Sequence, residues 1–277
     1  MFTLTETTEQ MIQDADAATF SRALTNLLAT FEPITLAQLE GAALLDRSEI
    51  KYLLPQHLLL PVLSELRDAY AVLMIAGQPL SHYRTLYFDT SDLAMYRRHH
   101  AGAPDRYKVR TREYVDSATA FLEVKHRTGG RRTVKRRIPT EAPVTMLPAQ
   151  AEAFLAQACP YPADTLIPCL WNHYTRITLV SARQAERVTV DFDVKFARDT
   201  GQIALPDIVI AEVKYAGSRS ASEFVRLMHR YHVRETGFSK YCVGISLLRS
   251  DIKYNRFKAK HRLLARLTHE NDQTTLA

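Results

Sequence analysis

An alternation of basic and uncharged residues at 97–137 constrains the fold more than any other feature of this 277-residue sequence. The stretch contains 13 Lys and Arg residues and 4 Asp and Glu residues, a net +9, whereas the whole chain carries +6. Every second residue of 106–112 is cationic, and 121–127 and 133–138 return to the same alternation. Side chains on a strand point to alternate faces. The stretch therefore predicts three strands with cations on one surface and an apolar layer on the other.

Two explanations are open for this cationic surface. Neighbouring strands lie only about 5 Å apart, so cations that face each other across a strand pair repel. Either the charges point into open water, which is common for an alternating strand, or a polyanion lies among them. Glu123 favours the polyanion, because a lone carboxylate among cations suits a metal ion that bridges phosphates.

Composition narrows the range of possible binding partners and cellular compartments. The net charge of +6 favours an anionic partner such as nucleic acid, a nucleotide, polyphosphate or an acidic membrane surface. Cys159, Cys169 and Cys242 have no CxxC spacing, which favours a reducing compartment over a structural zinc site. The N-terminus does not resemble a secretory signal, and the apolar stretches are shorter than the ~20 residues of a membrane span. We therefore expect a cytoplasmic protein without a membrane span.

The charged alternation also occurs outside the central stretch. Within 207–215, Glu212 and Lys214 repeat the spacing of Glu123 and Lys125. At least seven predicted strands share the pattern, and its further charged positions include Arg47, Glu49, Lys51, Asp191, Asp193 and Lys195. An ordinary apolar barrel interior cannot hold so many ions, because removing them from water costs too much free energy. We therefore predict an α+β fold in which helices flank an antiparallel β-tunnel, a closed barrel with a charged interior.

The helical spacing of apolar residues and the positions of helix-breaking residues predict where the flanking helices lie in the sequence. Helices are expected at 8–31, 56–70, 92–99, 149–158, 222–232 and 239–248. The chain then divides into an N-terminal helical extension at 1–45, a tunnel domain at 46–250 and a basic C-terminal tail at 251–277. A solvated or fraying helix is favoured for the tail over a contact with membrane or nucleic acid.

A wet, charged tunnel fits a linear polyanion. Carboxylates in it would hold Mg²⁺ or Mn²⁺ against phosphates, since hard cations prefer oxygen ligands, and Arg and Lys would neutralise the remaining charge. The sequence has no Walker A, GxGxxG, GxSxG or HExxH motif. Phosphoryl transfer does not require them, because it depends mainly on positioning and on electrostatic stabilisation.

An ordered set of motifs resembles a known family. The set comprises Arg47-Ser48-Glu49-Ile50-Lys51-Tyr52, Tyr87-Phe88-Asp89, Arg106/Lys108/Arg110, Glu123-Val124-Lys125, Asn172/Tyr174/Arg176, Asp191-Phe192-Asp193, Glu212-Val213-Lys214 and Ser239-Lys240-Tyr241. It is similar to the catalytic domain of the vacuolar transporter chaperone (VTC) complex, a polyphosphate polymerase of the CYTH/triphosphate tunnel metalloenzyme superfamily. The resemblance covers about residues 46–248. It implies a β-tunnel that transfers the γ-phosphate of ATP to a growing inorganic polyphosphate chain with Mn²⁺ or Mg²⁺.

The resemblance and the charged strands together imply site residues. The expected catalytic residues are Lys51, Arg110, Lys125, Lys214 and Glu212. The expected phosphate-binding residues are Arg47, Lys51, Arg84, Arg106, Lys108, Arg110, Lys125, Lys135, Arg137, Arg176, Lys214 and Lys240. The expected metal ligands are Glu212, as the principal one, with Glu49, Glu123, Asp191 and Asp193.

One departure and two alternatives accompany this hypothesis. Many superfamily triphosphatases begin with Glu-x-Glu-x-Lys, whereas Arg47 replaces the first Glu here, which favours the polymerase-like branch. A triphosphate hydrolase in the same tunnel, and a module that binds polyphosphate or nucleic acid without turnover, stay open. An RNA-binding sheet is disfavoured, because the strands lack the exposed aromatic pairs that stack on bases. We therefore expect no specific nucleic-acid partner.

Overall fold

The computed structural model describes residues 4–41, 48–129, 133–142, 144–147, 149–199 and 201–275. Its strands are β1 (Glu32–Ile34), β2 (Ser48–Pro55), β3 (Tyr70–Leu73), β4 (Ser81–Thr90), β5 (Arg106–Tyr114), β6 (Thr119–Arg127), β7 (Thr133–Thr140), β8 (Leu166–Ser181), β9 (Glu186–Arg198), β10 (Gly201–Leu205) and β11 (Ile208–Tyr215). Its helices are α1 (Leu4–Leu28), α2 (Leu36–Gly41), α3 (Leu59–Leu66), α4 (Ala94–Ala101), α5 (Ala149–Ala158), α6 (Glu223–Arg230), α7 (Lys240–Leu248) and α8 (Lys258–Thr275).

All the strands join one sheet. Its main path runs β2-β11-β9-β8-β4-β5-β6-β7 with antiparallel neighbours, while β10 pairs with β9, β3 with β8, and β1 lies parallel to β3. This confirms the α+β class and the antiparallel, tunnel-like sheet with flanking helices. The prediction of a closed barrel needs correction, since β2 and β7 are the two ends of the described hydrogen-bonded path.

The sheet curls so that its two end regions face each other. Lys125 on β6 experiences the charges of Glu49 on β2 and Glu212 on β11, although four strands of the path separate β11 from β6. The right-handed twist that strands accumulate across a wide sheet favours such curling. The inner surface, which carries these three side chains, is called the concave face below, and the space that it encloses is called the bore.

Strand register gathers the charges on the concave face. Lys108 on β5 lies opposite Lys125, which in turn lies opposite Lys135 on β7. Across the other end of the path, Glu212 lies opposite Lys51 on β2. The period of two that marked these segments in the sequence therefore places their charged positions on the inside.

Helices cover the outer, convex face. Leu24 of α1, Leu63 of α3 and Leu227 of α6 pack in one buried cluster with Val190 and Val209 of the sheet. A second cluster joins Leu155 of α5 to residues of β4, β5 and β6, namely Leu86, Phe88, Val109, Leu122 and Val124. A fully buried aliphatic side chain contributes about 1.5–3 kcal/mol. The apolar halves of the alternating strands thus stabilise the sheet from outside.

Helix α7 lies against the concave face at one end of the bore. Its residue Ile245 belongs to a buried cluster with Leu53 and Ile210, which lie on the same face of β2 and β11 as Lys51 and Glu212. The approach is close at Gly244, where an added Cβ would lie 2.6 Å from a ring carbon of Phe196. Only glycine fits there without displacing the sheet. We conclude that α7 fills this end of the bore.

The basic tail forms α8, and part of that helix is buried. Leu264 and Leu267 are only 4% and 5% exposed and join the cluster around α7. The hydroxyl of Ser246 and a ring nitrogen of His261 are 2.8 Å apart. The expected solvated or fraying helix is therefore packed onto the body of the protein. None of the helices in the described ranges has the length and apolar character needed to cross a membrane.

Candidate active site

The first wall of the bore centres on Glu212. Lys51 donates to Glu212 Oε2 at 2.6 Å, and Lys214 forms an ion pair with the other carboxylate oxygen. Lys51 also contacts Glu49, its neighbour on the same face of β2. Burial raises the pKa of Glu212, but Lys214 and Lys51 outweigh it and hold that pKa well below its ordinary value. This wall therefore holds two ionised carboxylates beside two lysines.

The second wall centres on Glu123, which is 1% exposed. Arg110 donates to Glu123 from Nε at 2.8 Å and from Nη2 at 2.7 Å, and Lys135 forms an ion pair with the other oxygen. Burial raises the pKa of Glu123, but the charges of Arg110, Arg112 and Lys135 dominate and lower it to about 2. The carboxylate thus orients two cations toward the bore.

A third carboxylate, Asp191, holds two cations in the same way. The guanidinium of Arg176 binds it at 2.5 and 2.8 Å through two nitrogens, a geometry that fixes the plane of the Arg side chain. Lys240, the first residue of α7, reaches the same carboxylate. Burial opposes ionisation, but Arg176 and Lys240 lower the pKa of Asp191 to about 2. Helix α7 is in this way bound to the wall of the bore.

Several further cations of the concave face, among them Arg106, Lys108, Arg112, Lys125 and Arg137, have no carboxylate within ion-pair distance among the described residues. Lys108 donates to the Ser239 hydroxyl at 3.0 Å, and Arg137 lies over the ring of Phe121 at 4.3 Å. Burial lowers the pKa of Lys108 to about 8. Partly desolvated cations without counter-charges are costly unless an anion joins them.

Most of the expected site residues lie together on the concave face. Those that the register and ion pairs place there are Glu49, Lys51, Arg106, Lys108, Arg110, Glu123, Lys125, Lys135, Arg137, Arg176, Asp191, Glu212, Lys214 and Lys240. Arg47 lies outside the described residues.

Two expected residues lie elsewhere. Arg84 is on the convex face, where it donates to Glu113 at 2.5 Å, because in β4 it alternates with inward-facing Tyr83 and Thr85. Asp193 is exposed and has a φ of 50°, next to a register shift between β8 and β9. Such a bulge interrupts the alternation of faces, so Asp193 is separated from Asp191. Neither residue remains a candidate.

The donor set fits a divalent cation that the ligand helps to bind. Glu49 and Glu212 share Lys51 as a partner and lie together on one wall, whereas the ion pairs of Glu123 and of Asp191 each include a single carboxylate. Within the described ranges no group of three His, Cys, Asp or Glu residues is placed to hold a metal. Mg²⁺ usually binds one or two carboxylates together with phosphate oxygens and water. Glu49 and Glu212 match that requirement.

Sequence reasoning missed several side chains of the bore. Ser239 caps α7 by accepting the N–H of Cys242 at 3.2 Å and also receives Lys108. Tyr83 and Tyr174 stack with ring centres 5.0 Å apart, and Arg176 lies 4.9 Å over Tyr83. The Ser-Lys-Tyr motif marked the start of α7, but its position in the bore depends on long-range packing. The alternation of side chains in β4 put Tyr83 and Arg84 on opposite faces but did not show which face points into the bore.

The carboxylates predict an acid-sensitive fold. A carboxyl group whose pKa is lower in the folded than in the unfolded protein stabilises the fold at pH values above its unfolded pKa. This stabilisation is lost as the pH falls through the folded pKa. The pKa of Glu123 is ordinarily 4.5 and is about 2 in the folded protein. Its contribution to the free energy of unfolding, on the order of 3 kcal/mol, should therefore disappear as the pH falls from 4.5 to 2. Urea unfolding between pH 6 and pH 2 should show this loss. The dependence should be weaker in Glu123→Gln, and equal pH profiles for the two proteins would contradict the assignment.

The fold and the site together define a tunnel-like class of protein: a curled antiparallel sheet, charged within and covered by helices outside. The family model described as the VTC domain matches residues 46–249. The chain therefore belongs to the VTC domain family, which confirms the resemblance found in the sequence. No relative was found among curated proteins.

Several solved structures are similar to this chain. A putative adenylyl cyclase from Hippeastrum, described as having a dominant triphosphatase activity, is 15% identical, with 74% of this chain and 98% of that chain covered and a TM-score of 0.48. A putative adenylate cyclase from Bacillus halodurans is 13% identical, with 69% and 92% covered and a TM-score of 0.44. A Pyrococcus horikoshii protein is 8% identical, with 71% and 95% covered and a TM-score of 0.40. At these values the likenesses carry no functional argument.

Proposed function

We propose that this protein is a metal-dependent polyphosphate polymerase that transfers the γ-phosphate of ATP to a growing inorganic polyphosphate chain. The observation that carries the proposal is the set of concave-face cations without carboxylate partners in the described part of the chain, led by Lys108 and Lys125. Phosphates are the anions that such a row of Arg and Lys side chains would neutralise. The proposed partners are ATP or another triphosphate and polyphosphate, and the proposed location is the cytoplasm.

The proposed roles follow from position. Lys108 and Lys125 would bind bridging and non-bridging phosphate oxygens along the bore. Arg110, which is oriented by Glu123, and Lys51 and Lys214, which flank Glu212, would stabilise the charge that develops on the transferred group. Because these donors are already fixed by ion pairs, little reorganisation accompanies the reaction.

Glu212 and Glu49 would hold Mn²⁺ or Mg²⁺ together with phosphate oxygens. When bound, the ion would supply charge neutralisation for the phosphates of the substrate. Lys51 lies between the two carboxylates, so phosphate binding to Lys51 would free carboxylate oxygens for the ion. The carboxylates are ionised in the absence of ligand, since neighbouring cations, Lys51 among them, lower the pKa of both despite burial.

A triphosphate hydrolase is the second candidate. The observation that favours it is α7, which fills one end of the bore through Ile245 and Gly244. A short triphosphate fits a bore that is filled at one end, whereas a growing chain also needs a path for the product. Both candidates use the same cations and carboxylates.

Incubation with ATP and Mn²⁺ tests the two candidates. A polymerase yields long acid-insoluble phosphate chains, and orthophosphate without chains supports the hydrolase. Lys108→Met should weaken tripolyphosphate binding and lower turnover by about 10-fold or more, because a buried charge–phosphate contact is lost.

The matched control is Lys195→Met, which removes an exposed lysine located on the convex face opposite His173. It should change turnover by less than about 2-fold. Binding of tripolyphosphate without any turnover, under all metals tried, would replace both candidates with a binding module. Equal effects of the two lysine substitutions would contradict the assignment of the bore.

A further inference from the structure

A row of aromatic side chains crosses three neighbouring strands on the concave face. Tyr83 on β4 lies opposite Tyr174 on β8 and opposite Tyr114 on β5. The rings of Tyr83 and Tyr174 are nearly parallel, with an angle of 8° between them and centres 5.0 Å apart, and the ring centre of Tyr114 lies 5.1 Å from that of Tyr83. Close packing from both neighbouring strands restricts the rotation of a side chain. The orientation of the Tyr83 ring is therefore set by the sheet.

Two guanidinium groups lie over the Tyr83 ring. The guanidinium carbon of Arg176 lies 4.9 Å from the ring centre, and that of Arg112 lies 5.4 Å from it. Both distances are within the ~6 Å over which the negative face of an aromatic ring attracts a cation. Burial raises the pKa of the Tyr83 hydroxyl, so the phenol stays neutral and the attraction comes from the ring. One neutral side chain thus holds two cations.

Arg112 depends on this contact more than its neighbours do. Arg110, two residues earlier on the same face of β5, is oriented by Glu123, and Arg176 is oriented by Asp191. Among the described residues no carboxylate lies within ion-pair distance of Arg112, and its buried Nε has no hydrogen-bond acceptor. A buried donor without an acceptor costs free energy. The Tyr83 ring therefore positions a guanidinium that still lacks an anionic partner.

An aromatic ring positions a cation differently from a carboxylate. A carboxylate accepts hydrogen bonds from the guanidinium N–H groups and offsets the charge. A ring attracts the charge but offers no carboxylate oxygen, so the N–H groups stay available to another acceptor. Phosphate oxygens are bound by the guanidinium in the same paired geometry as carboxylate oxygens. Arg112 is in this way presented to a phosphate in the bore.

We propose that Tyr83 is a positioning residue that holds the guanidinium groups of Arg112 and Arg176 for phosphate binding. Its ring fixes Arg112 without occupying the donors that the phosphate needs, and it supports Arg176 beside Asp191. The inference rests on the proposed function only in requiring a phosphate group in the bore. It adds to that function an aromatic side chain that acts through two cations.

Tripolyphosphate affinity, measured by calorimetry, tests whether the ring is needed. Tyr83→Leu keeps an apolar side chain but removes the aromatic face, and we expect about 10-fold weaker binding. Tyr83→Phe keeps the face and removes the hydroxyl, so its affinity should lie within about 2-fold of wild type. Equal losses in the two variants would assign the effect to the hydroxyl and overturn the proposal. If Tyr83→Leu does not fold, Tyr83→Met gives the same comparison.

A double-mutant cycle separates positioning from a structural role. If Tyr83 acts through Arg112, Tyr83→Leu should weaken binding by less than about 3-fold when it is introduced into Arg112→Met. The same loss in both backgrounds would show that the ring does not act through this arginine. The control is Tyr107→Leu, which removes a ring that stacks on His126 at 4.0 Å on the convex face. It should change the affinity by less than about 2-fold.

The ring contact is also measurable in the unsubstituted protein. A proton over an aromatic face resonates upfield of its usual position, so the Nε–H proton of Arg112, assigned with Arg112→Met, should be shifted upfield. A signal at the usual position contradicts the contact. Failure of the wild-type protein to bind tripolyphosphate contradicts the proposed function, whereas binding that is insensitive to Tyr83→Leu overturns only the role of Tyr83.

Discussion

Glu212→Gln should reduce metal-dependent phosphoryl transfer by about 100-fold or more while leaving the fold intact. The substitution keeps the shape of the side chain but removes the charge that a divalent cation needs. Lys51 retains Glu49 as a partner, so the change does not leave that lysine without a counter-charge. Turnover of ATP over a range of Mn²⁺ concentrations measures the effect, and circular dichroism with thermal melting verifies the fold.

Glu113→Gln is the matched control for this experiment. Glu113 also forms an ion pair, with Arg84 at 2.5 Å, but on the convex face. We expect less than about a 2-fold change in turnover, because the pair lies outside the bore and is partly exposed. If Glu212→Gln retained the Mn²⁺ dependence of wild type, the metal would have to bind elsewhere and the proposed role of this wall would be wrong.

The alternation of side chains was sufficient to predict the chemistry of most strands. In β5, β6 and β11 the charged positions alternate with Val109, Val124 and Val213, which are all buried. A period of two determines which residues share a face. Because burying ions costs free energy, the charged face is expected to contact water. The concave face and its principal residues therefore follow from local sequence.

Arg84 shows where that reasoning fails. In β4, Arg84 shares its face with Leu86 and Phe88, both of which are buried under α5. Its charge suggested the bore, but its two apolar neighbours indicate the convex face. A single cation is a weaker guide than the whole alternating set, because Arg can extend along an apolar surface and keep its head in water.

Other misses depend on long-range structure. The bulge that turns Asp193 away from Asp191 occurs where β8 and β9 change register, and no local pattern in either strand marks it. The position of Ser239 beside Lys108 requires that α7 pack against the sheet. Such contacts join residues that are distant in the sequence, so propensity and periodicity do not report them.

Asp89→Ala should lower the free energy of unfolding by about 3–5 kcal/mol, the largest stability effect that we expect. The Asp89 carboxylate is completely buried. It accepts the backbone N–H groups of Met95 and Tyr96, both at 2.9 Å, and of Thr90 at 2.8 Å. It also accepts the hydroxyl of Tyr241 on α7. Removing it leaves several buried donors without a partner at once.

The measurement is urea unfolding, with Asp92→Ala as the control. Asp92 is exposed at the start of the same segment and forms an ion pair with Arg97, so its loss should cost no more than about 0.5–1 kcal/mol. A difference between Asp89→Ala and Asp92→Ala of less than about 1 kcal/mol would show that the donors find other acceptors.

The same carboxylate connects stability to the bore, because it joins β4 and α4 to α7. Tyr241→Phe removes only the α7 hydroxyl from this network and should cost about 1 kcal/mol. Ser239 and Lys240 immediately precede that tyrosine and contact Lys108 and Asp191. We therefore expect Tyr241→Phe to weaken tripolyphosphate binding more than its small stability cost would suggest. Unchanged affinity would mean that the ion pairs of the bore position α7 without Asp89.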